Sequence, residues 1–164
     1  GQQARRCLDG CGSLEGHTAG LLSAGDSSWL ESHGRHHTEA TLPVSSRKTN
    51  RFFLFAPDSM RLVGWKNVAT GDVVMSDPSL GPDDCLAYGF SGIHILSGSG
   101  FGLMDEYLKE MGLPAGSKFS IKDFYLWAAS RRPVYGVVRD GLRLLDVGKL
   151  DALLPAEDFV KSLE

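Results

Sequence analysis

The spacing of apolar and polar positions changes several times along the chain, and each change predicts an element. Residues 85–96 form an apolar, aromatic and β-branched run, which predicts a buried strand onto which the other elements pack. Gly89 and Gly92 interrupt the run at points where another backbone or a ligand can come close. Ser91 beside Gly92 has two interpretations that stay open, a strand passing under a ligand or a packing gap filled by a neighbouring helix.

Shorter runs before this strand predict a small antiparallel group. A strand over residues 39–45 contains Pro43, which has no backbone N–H to donate and so favours an edge position or a bulge. Strands over 52–55 and 61–66 flank a turn, and a second turn precedes a strand over 73–75.

Helical spacing follows the organising strand and a predicted loop at residues 97–100. Apolar residues recur at intervals of three and four from Phe101 to Met111, which predicts an amphipathic helix. A second helix is predicted from Ser120, a strand over 134–138, a turn and returning strand over 139–145, and a last helix from about Asp151. Alternating strands and helices with local hairpins predict an α/β domain with a mixed sheet.

Composition narrows the class of protein. The 164 residues are 42% hydrophobic and 23% charged, which is ordinary for one soluble domain with a core. The net charge of −3 argues against a broad nucleic-acid-binding face, so small molecules or proteins are the expected partners. Three cysteines without paired CxxC units indicate reduced thiols, and no apolar run approaches the roughly 18 residues of a membrane span. We therefore expect a cytoplasmic protein that does not enter a membrane.

Few residues of the chain suggest a catalytic or ligand-binding site. Asp146 and Lys149 follow a predicted strand and precede a helix, where Asp146 can hold a divalent cation and Lys149 can meet a phosphate. A helix-capping aspartate and a surface lysine explain the same residues, and that simpler explanation is favoured from these residues alone.

Two other polar clusters remain weaker candidates. Arg47, Lys48 and Arg51 form a basic group that can attract phosphates, although a charged link between strands explains them equally well. His33 and His37 stand at a spacing that can share a metal, but no carboxylate or cysteine completes the set, and a solvated polar face is favoured.

Six segments in combination resemble the sugar-1-phosphate nucleotidyltransferases. The likeness is greatest to the NDP-sugar pyrophosphorylase branch described as mannose-1-phosphate guanylyltransferase-like, and it extends from residue 39 to residue 154. The segments are residues 40–42, 47–55, 62–65 together with 70–72, 90–94, 118–123 and 145–149.

The resemblance implies a Rossmann-like nucleotidyltransferase fold, in which a mixed sheet is flanked by helices. It implies transfer of a nucleoside monophosphate from an NTP to a sugar 1-phosphate, with release of pyrophosphate and with Mg²⁺ as cofactor. By the same resemblance Asp146 is a metal ligand, and Ser91 and Gly92 line the sugar pocket. Lys118 and Lys66 are further candidates for substrate contacts, and no catalytic residue is assigned.

The chain lacks two features of the family, and their absence determines which domain we expect. Nothing in this chain matches the family's glycine-rich basic loop, and the place of its second magnesium aspartate falls at Gly20. We therefore expect residues 1–164 to be a single partial domain lacking the N-terminal part of the fold. In it, residues 1–38 are poorly defined and residues 39–164 form the sugar- and metal-binding part. Exposed apolar surface would then favour self-association.

Three functions stay open after the resemblance. The chain is a nucleotidyltransferase, or a truncated or degenerate module that binds sugar nucleotides without transfer, or an α/β interaction domain that binds neither nucleotides nor sugar phosphates. The base and the sugar are not determined by these segments.

Overall fold

The computed structural model describes residues 38–140, and the fold below is that of this part of the chain. Its elements are β1 (Ala40–Ser45), β2 (Arg51–Phe55), β3 (Leu62–Asn67), β4 (Asp72–Met75), β5 (Leu86–Phe90), β6 (Ile95–Leu96), α1 (Gly98–Glu110), α2 (Ile121–Ala129) and β7 (Val134–Val138). The helix predicted near His33 and the elements predicted after residue 140 lie outside the described residues. So do Gly20, Asp146 and Lys149.

The seven strands form one mixed sheet, as the sequence predicts at that level. The strands run in the order β4-β3-β2-β5-β1-β6, and β7 pairs with β1 in parallel while the other pairs are antiparallel. The predicted hairpin of β2 and β3 is present, and β4 extends it.

Among the described strands, the one that pairs with most others is β1 and not the run over residues 85–96. That run divides into β5 and β6, which both lie along one edge of β1 while β7 occupies the other. The chain advances five residues from Phe90 to Ile95, whereas their partners Val44 and Thr41 are three apart, so two residues are unmatched. The prediction of a single continuous strand there is wrong because a bulge interrupts it.

Pro43 explains where the bulge lies. The carbonyl of Val44 accepts the N–H of Arg139 beyond β7, whereas that of Pro43 accepts the N–H of Ser91. The N–H and C=O of one strand residue point to the same side, so the donor that proline lacks would have faced the β5–β6 edge. The sequence allowed either an edge position or a bulge at Pro43. The structure shows a bulge, and it lies in the partner strand opposite Pro43.

Helix α1 begins earlier than predicted, within the segment expected to be a loop. The Ser97 hydroxyl accepts the Gly100 N–H at 2.9 Å and donates to Glu39 Oε2 at 2.8 Å, and Ser99 also donates to that carboxylate. Glu39 thus supplies the negative charge that the first turn of α1 lacks. Sequence spacing did not reveal this start because the carboxylate comes from the residue just before β1, far away in the sequence.

Helix α2 begins as predicted. The Ser120 hydroxyl accepts the Asp123 N–H, and the helix ends before Pro133. The helix contributes Phe124 and Tyr125 to the core on one face of the sheet, where Phe53 and Phe90 meet the Tyr125 ring edge-on. Neither helix of the described residues is long and apolar enough to cross a membrane.

A smaller apolar cluster covers the other face of the sheet. Leu54 and Val63 are its buried centre, and Leu80 and Cys85 pack on it from the link between β4 and β5. This cover lies over β2 and β3, on the side of the sheet that the helices leave open.

Gly136 gives a direct test of the core. A methyl group at this position of β7 would lie 2.7 Å from Cε1 of the fully buried Phe55 ring. We expect Gly136→Ala to lower the free energy of unfolding by about 1–3 kcal/mol, because the ring must shift within a close-packed core. Urea denaturation measures it.

Gly102→Ala is the matched control for Gly136→Ala. Gly102 lies in α1 and its added methyl group would meet nothing within 4 Å. Alanine should raise the free energy of unfolding there by about 0.5–1 kcal/mol through helix propensity. Equal effects of the two substitutions would contradict the packing of Phe55 on β7.

Candidate functional site

The carboxyl ends of β1 and β7 lie at one edge of the sheet because these strands are parallel. Residues 46–50 leave β1 there, and Arg139 and Asp140 leave β7. Asp140 Oδ1 accepts the backbone N–H of Ser46 at 2.9 Å and its hydroxyl at 2.5 Å. Ligands of α/β proteins commonly bind at this end of the strands.

The hydrogen bonds from Ser46 also stabilise the ionised form of Asp140. The hydroxyl and the N–H of Ser46 both donate to the carboxylate, and they lower the pKa of Asp140 below its usual value. Asp140 is therefore an anion at neutral pH, at the Ser46 end of the link between β1 and β2.

Arg47 connects this link to the bulge of the neighbouring strand. Its Nη2 donates to the Phe90 carbonyl at 2.7 Å, one residue before Ser91. Its side chain crosses Gly89, where an added methyl group would lie 3.0 Å from Arg47 Cγ and 3.2 Å from Nε. Gly89 is thus the small residue that lets the Arg47 side chain lie against β5.

A cavity of about 520 Å³ opens beside this arginine, and we call it the basic cavity. Two of the residues that line it are cationic and none is acidic. The lining residues are Ser46, Arg47, Lys48, Thr49, Asn50 and Phe52. An open cavity of this size with two cations is suited to a small anionic ligand.

The bulge itself separates a buried hydroxyl from an exposed backbone. The Ser91 hydroxyl donates to the Pro43 carbonyl at 2.6 Å and accepts the Ile93 N–H at 3.2 Å. Gly92 is exposed and has a φ of 84°, in the left-handed region that favours glycine. Ser91 therefore fixes the shape of the bulge, and Gly92 presents it to solvent.

The predicted site residues are divided between the two sides of the sheet. Lys122 Nζ lies 4.5 Å from the centre of the Trp65 ring, so Trp65 faces α2 and Lys66 points to the opposite face. Lys66 pairs across the strands with Phe52, which lines the basic cavity. Lys118 is exposed in the link between the helices, on the helix side. The structure thus places Lys66 on the same face of the sheet as Phe52, although Lys66 does not line the basic cavity, and it places Lys118 on the helix side.

His94 lies behind the bulge among aromatic rings. Its ring stacks on Phe90 with centroids 6.5 Å apart and meets Tyr125 at 5.7 Å, and its buried Nδ1 has no hydrogen-bond partner among the described residues. Burial lowers the pKa of His94 below its ordinary value. The imidazole is therefore neutral at physiological pH.

Arg47 and Lys48 are the residues that sequence reasoning left undecided. A basic group in a link between strands occurs on many solvated surfaces, and spacing does not distinguish these cases. Gly89 was the available signal, because a glycine within a strand indicates close approach by another group. The approaching group is the Arg47 side chain.

Comparisons with known proteins add little to this geometry. No protein-family model and no curated protein matches the chain. A similar solved structure is the nucleoside-diphosphate-sugar pyrophosphorylase from Vibrio cholerae RC9, with 12% sequence identity and a TM-score of 0.42. The alignment covers 85% of this chain and 50% of that protein, so the chain spans about half its length.

The buried histidine makes stability depend on pH. Folded His94 resists protonation, so the unfolded chain binds the proton more tightly and protonation favours unfolding. The stability that the buried neutral imidazole contributes is fully present above its ordinary pKa of 6.5. This stability is lost as the pH falls below that value. We expect His94→Gln to flatten the fall of the urea midpoint between pH 8 and pH 5. The other four histidines are present in both proteins, so parallel midpoint curves would refute the burial of a neutral imidazole.

Proposed function

We propose that this chain is part of a nucleotidyltransferase that forms an NDP-sugar from an NTP and a sugar 1-phosphate. In this reaction an oxygen of the sugar phosphate attacks the α-phosphorus of the NTP. The bond between the α- and β-phosphates breaks, and pyrophosphate leaves with its electron pair.

The observation that carries the proposal is the contact between Arg47 and Phe90. Residues 47–55 and 90–94 are two of the segments that resemble the family, and their first residues are 43 positions apart. The Nη2 of Arg47 and the Phe90 carbonyl join them at 2.7 Å. Both segments therefore contribute to one region, as substrate-binding segments must.

The proposed roles follow from exposure and hydrogen bonding. Gly92 offers an exposed backbone without a side chain, which suits close approach by a sugar. The Ser91 hydroxyl already has a donor and an acceptor partner, so we assign it to positioning the bulge. Lys66, on the face of the basic cavity, is a better candidate for a phosphate contact than Lys118.

The positive charge of the residues around the basic cavity also supports the proposed reaction. Both substrates are anions, so their approach needs cations in the site. Arg47 and Lys48 line the basic cavity, and Lys66 lies on the same face. These three side chains would lower the repulsion between the bound phosphates.

The residue proposed to bind the metal ion lies outside the described part of the chain. Residues 38–140 contain no group of three or more side chains able to hold a metal ion. Asp140, a carboxylate that contacts the lining residue Ser46, already accepts two hydrogen bonds from it. We propose that Asp146, six residues further along the sequence, contributes a Mg²⁺ ligand.

Isothermal titration of the 164-residue chain with GDP-mannose and with UDP-glucose, with and without Mg²⁺, tests the proposal. We expect binding of at least one nucleotide sugar, stronger when Mg²⁺ is present. Binding without pyrophosphate formation from NTP and sugar 1-phosphate would favour the non-catalytic binding module. A folded chain that binds neither ligand would refute the proposal.

Gly92→Ala tests the sugar contact of the bulge. Alanine at a left-handed position costs on the order of 1 kcal/mol of stability, and its methyl group obstructs the exposed backbone. We expect nucleotide-sugar affinity to fall about tenfold or more. Gly116→Ala is the matched control, since Gly116 has a φ of 78° in the link between the helices. Equal affinity of the two variants would exclude Gly92 from the sugar contact.

Asp146→Asn tests the metal ligand. The amide is a weaker ligand for Mg²⁺ than the carboxylate, so the gain in nucleotide-sugar affinity on adding Mg²⁺ should disappear. Asp105→Asn, an exposed change on α1, should keep that gain. An unchanged Mg²⁺ dependence in Asp146→Asn, measured by the same titration, would remove Asp146 from the site.

A further inference from the structure

We infer that the basic cavity is a binding site for the phosphate group of a small phosphate monoester, with Arg47 and Lys48 as its cationic contacts. The inference rests on the proposed function for the sugar part of the ligand and on the cavity alone for its phosphate. It assigns a role to two residues that the family resemblance leaves without one.

Arg47 is held in place before any ligand binds. One of its N–H groups donates to the Phe90 carbonyl at 2.7 Å, and its stem packs across Gly89. A guanidinium has five N–H donors in a fixed plane, so others stay available to phosphate oxygens. Because the stem is already ordered, binding loses less side-chain entropy than it would with a free arginine.

Neighbouring residues complete a set of donors on one short link. Lys48 is exposed and brings a mobile ammonium group, and the amide of Asn50 adds a neutral donor. The Thr49 oxygen accepts the Arg51 N–H at 3.2 Å, which leaves its hydroxyl hydrogen able to donate. A tetrahedral phosphate has enough acceptor oxygens to use all of these donors.

The charge at the cavity favours an anion in spite of one nearby carboxylate. Asp140 lies at the Ser46 end and is ionised, so it opposes an anion bound beside it. Its Oδ1 receives both hydrogen bonds from Ser46, the first lining residue, whereas Arg47, Lys48 and Thr49 follow further along the link. We therefore place the phosphate toward Arg47, Lys48 and Thr49, away from Asp140.

Phe52 indicates how the rest of the ligand would lie. Its half-buried ring lines the cavity beside the cations, and an aromatic surface next to phosphate donors suits the apolar face of a sugar ring. Inorganic phosphate would fill only the cationic part of a cavity of about 520 Å³. A sugar 1-phosphate uses both parts, so it should bind more tightly than inorganic phosphate.

The experiment follows backbone amide signals of the ¹⁵N-labelled 164-residue chain by NMR. The titrants are inorganic phosphate, mannose 1-phosphate and unphosphorylated mannose, at low and at moderate NaCl. We expect both phosphates to shift the signals of residues 46–50 and mannose alone to leave them unchanged. Added salt should weaken phosphate binding because partly exposed charges are screened.

Lys48→Ala supplies the test of the contact. Loss of one cation should weaken phosphate binding at least about fivefold, and Lys48→Arg should restore it. Lys109→Ala, the same change on the exposed end of α1, should have no effect. Arg47→Lys keeps the charge but loses the planar fork, so it should weaken binding while leaving the urea midpoint nearly unchanged.

The outcomes separate this inference from the proposed function. Unshifted signals at residues 46–50, or equal affinities for wild type and Lys48→Ala, would overturn the phosphate site even if nucleotide sugars bind elsewhere. Binding of inorganic phosphate without a gain from the sugar would support the site and count against the sugar-phosphate substrate. Tighter binding of mannose 1-phosphate supports both.

Discussion

The absence of a backbone N–H at Pro43 is the constraint on which the described sheet depends. Pro43 lies in β1, which has strand partners on both edges, and a continuous partner there would leave a ladder acceptor without its donor. The partner strand instead bulges opposite it, and Ser91 supplies two donors to the Pro43 carbonyl. These two hydrogen bonds fix the shape of the bulge, which exposes the backbone of Gly92 to solvent. The bulge also lets the same strand edge continue as β6, which leads directly into the start of α1.

The parallel pairing of β1 and β7 brings the ends of two strands to one edge of the sheet. Both strands end on the same side of the sheet, and the bonds from Ser46 to Asp140 hold their two exits together. Arg47 then extends across β5 to the Phe90 carbonyl, so the basic cavity and the bulge belong to one continuous region. The helices pack on the opposite face, where the large aromatic core lies. Rigid packing on one face thus supports charged groups that remain open to solvent on the other.

Small residues have different roles within this arrangement, and burial distinguishes them. Gly136 gives space to the Phe55 ring, and Gly89 gives space to the Arg47 side chain. Gly92 provides a backbone conformation that other residues rarely adopt. The first is a requirement of the core, the second positions a cation, and the third exposes the bulge. His94 stacks on Phe90 and contacts Tyr125, so its ring packs between β5 and the aromatic core.

Local pattern determined much of the described secondary structure. Alternation and turn residues located the hairpin of β2 and β3 together with β4 and β7, while helical spacing and the Ser120 cap located both helices, because these signals act within a few residues. The early start of α1 depended on Glu39, and the division of residues 85–96 depended on Pro43, which are distant in sequence. Residue types likewise indicated a basic group at Arg47 and Lys48 and small groups at Ser91 and Gly92. Only the tertiary structure showed that Arg47 reaches Phe90 and that Lys66 and Lys118 lie on different sides. Strand order and face are decided by hydrogen bonds and packing between remote segments, which no local spacing encodes.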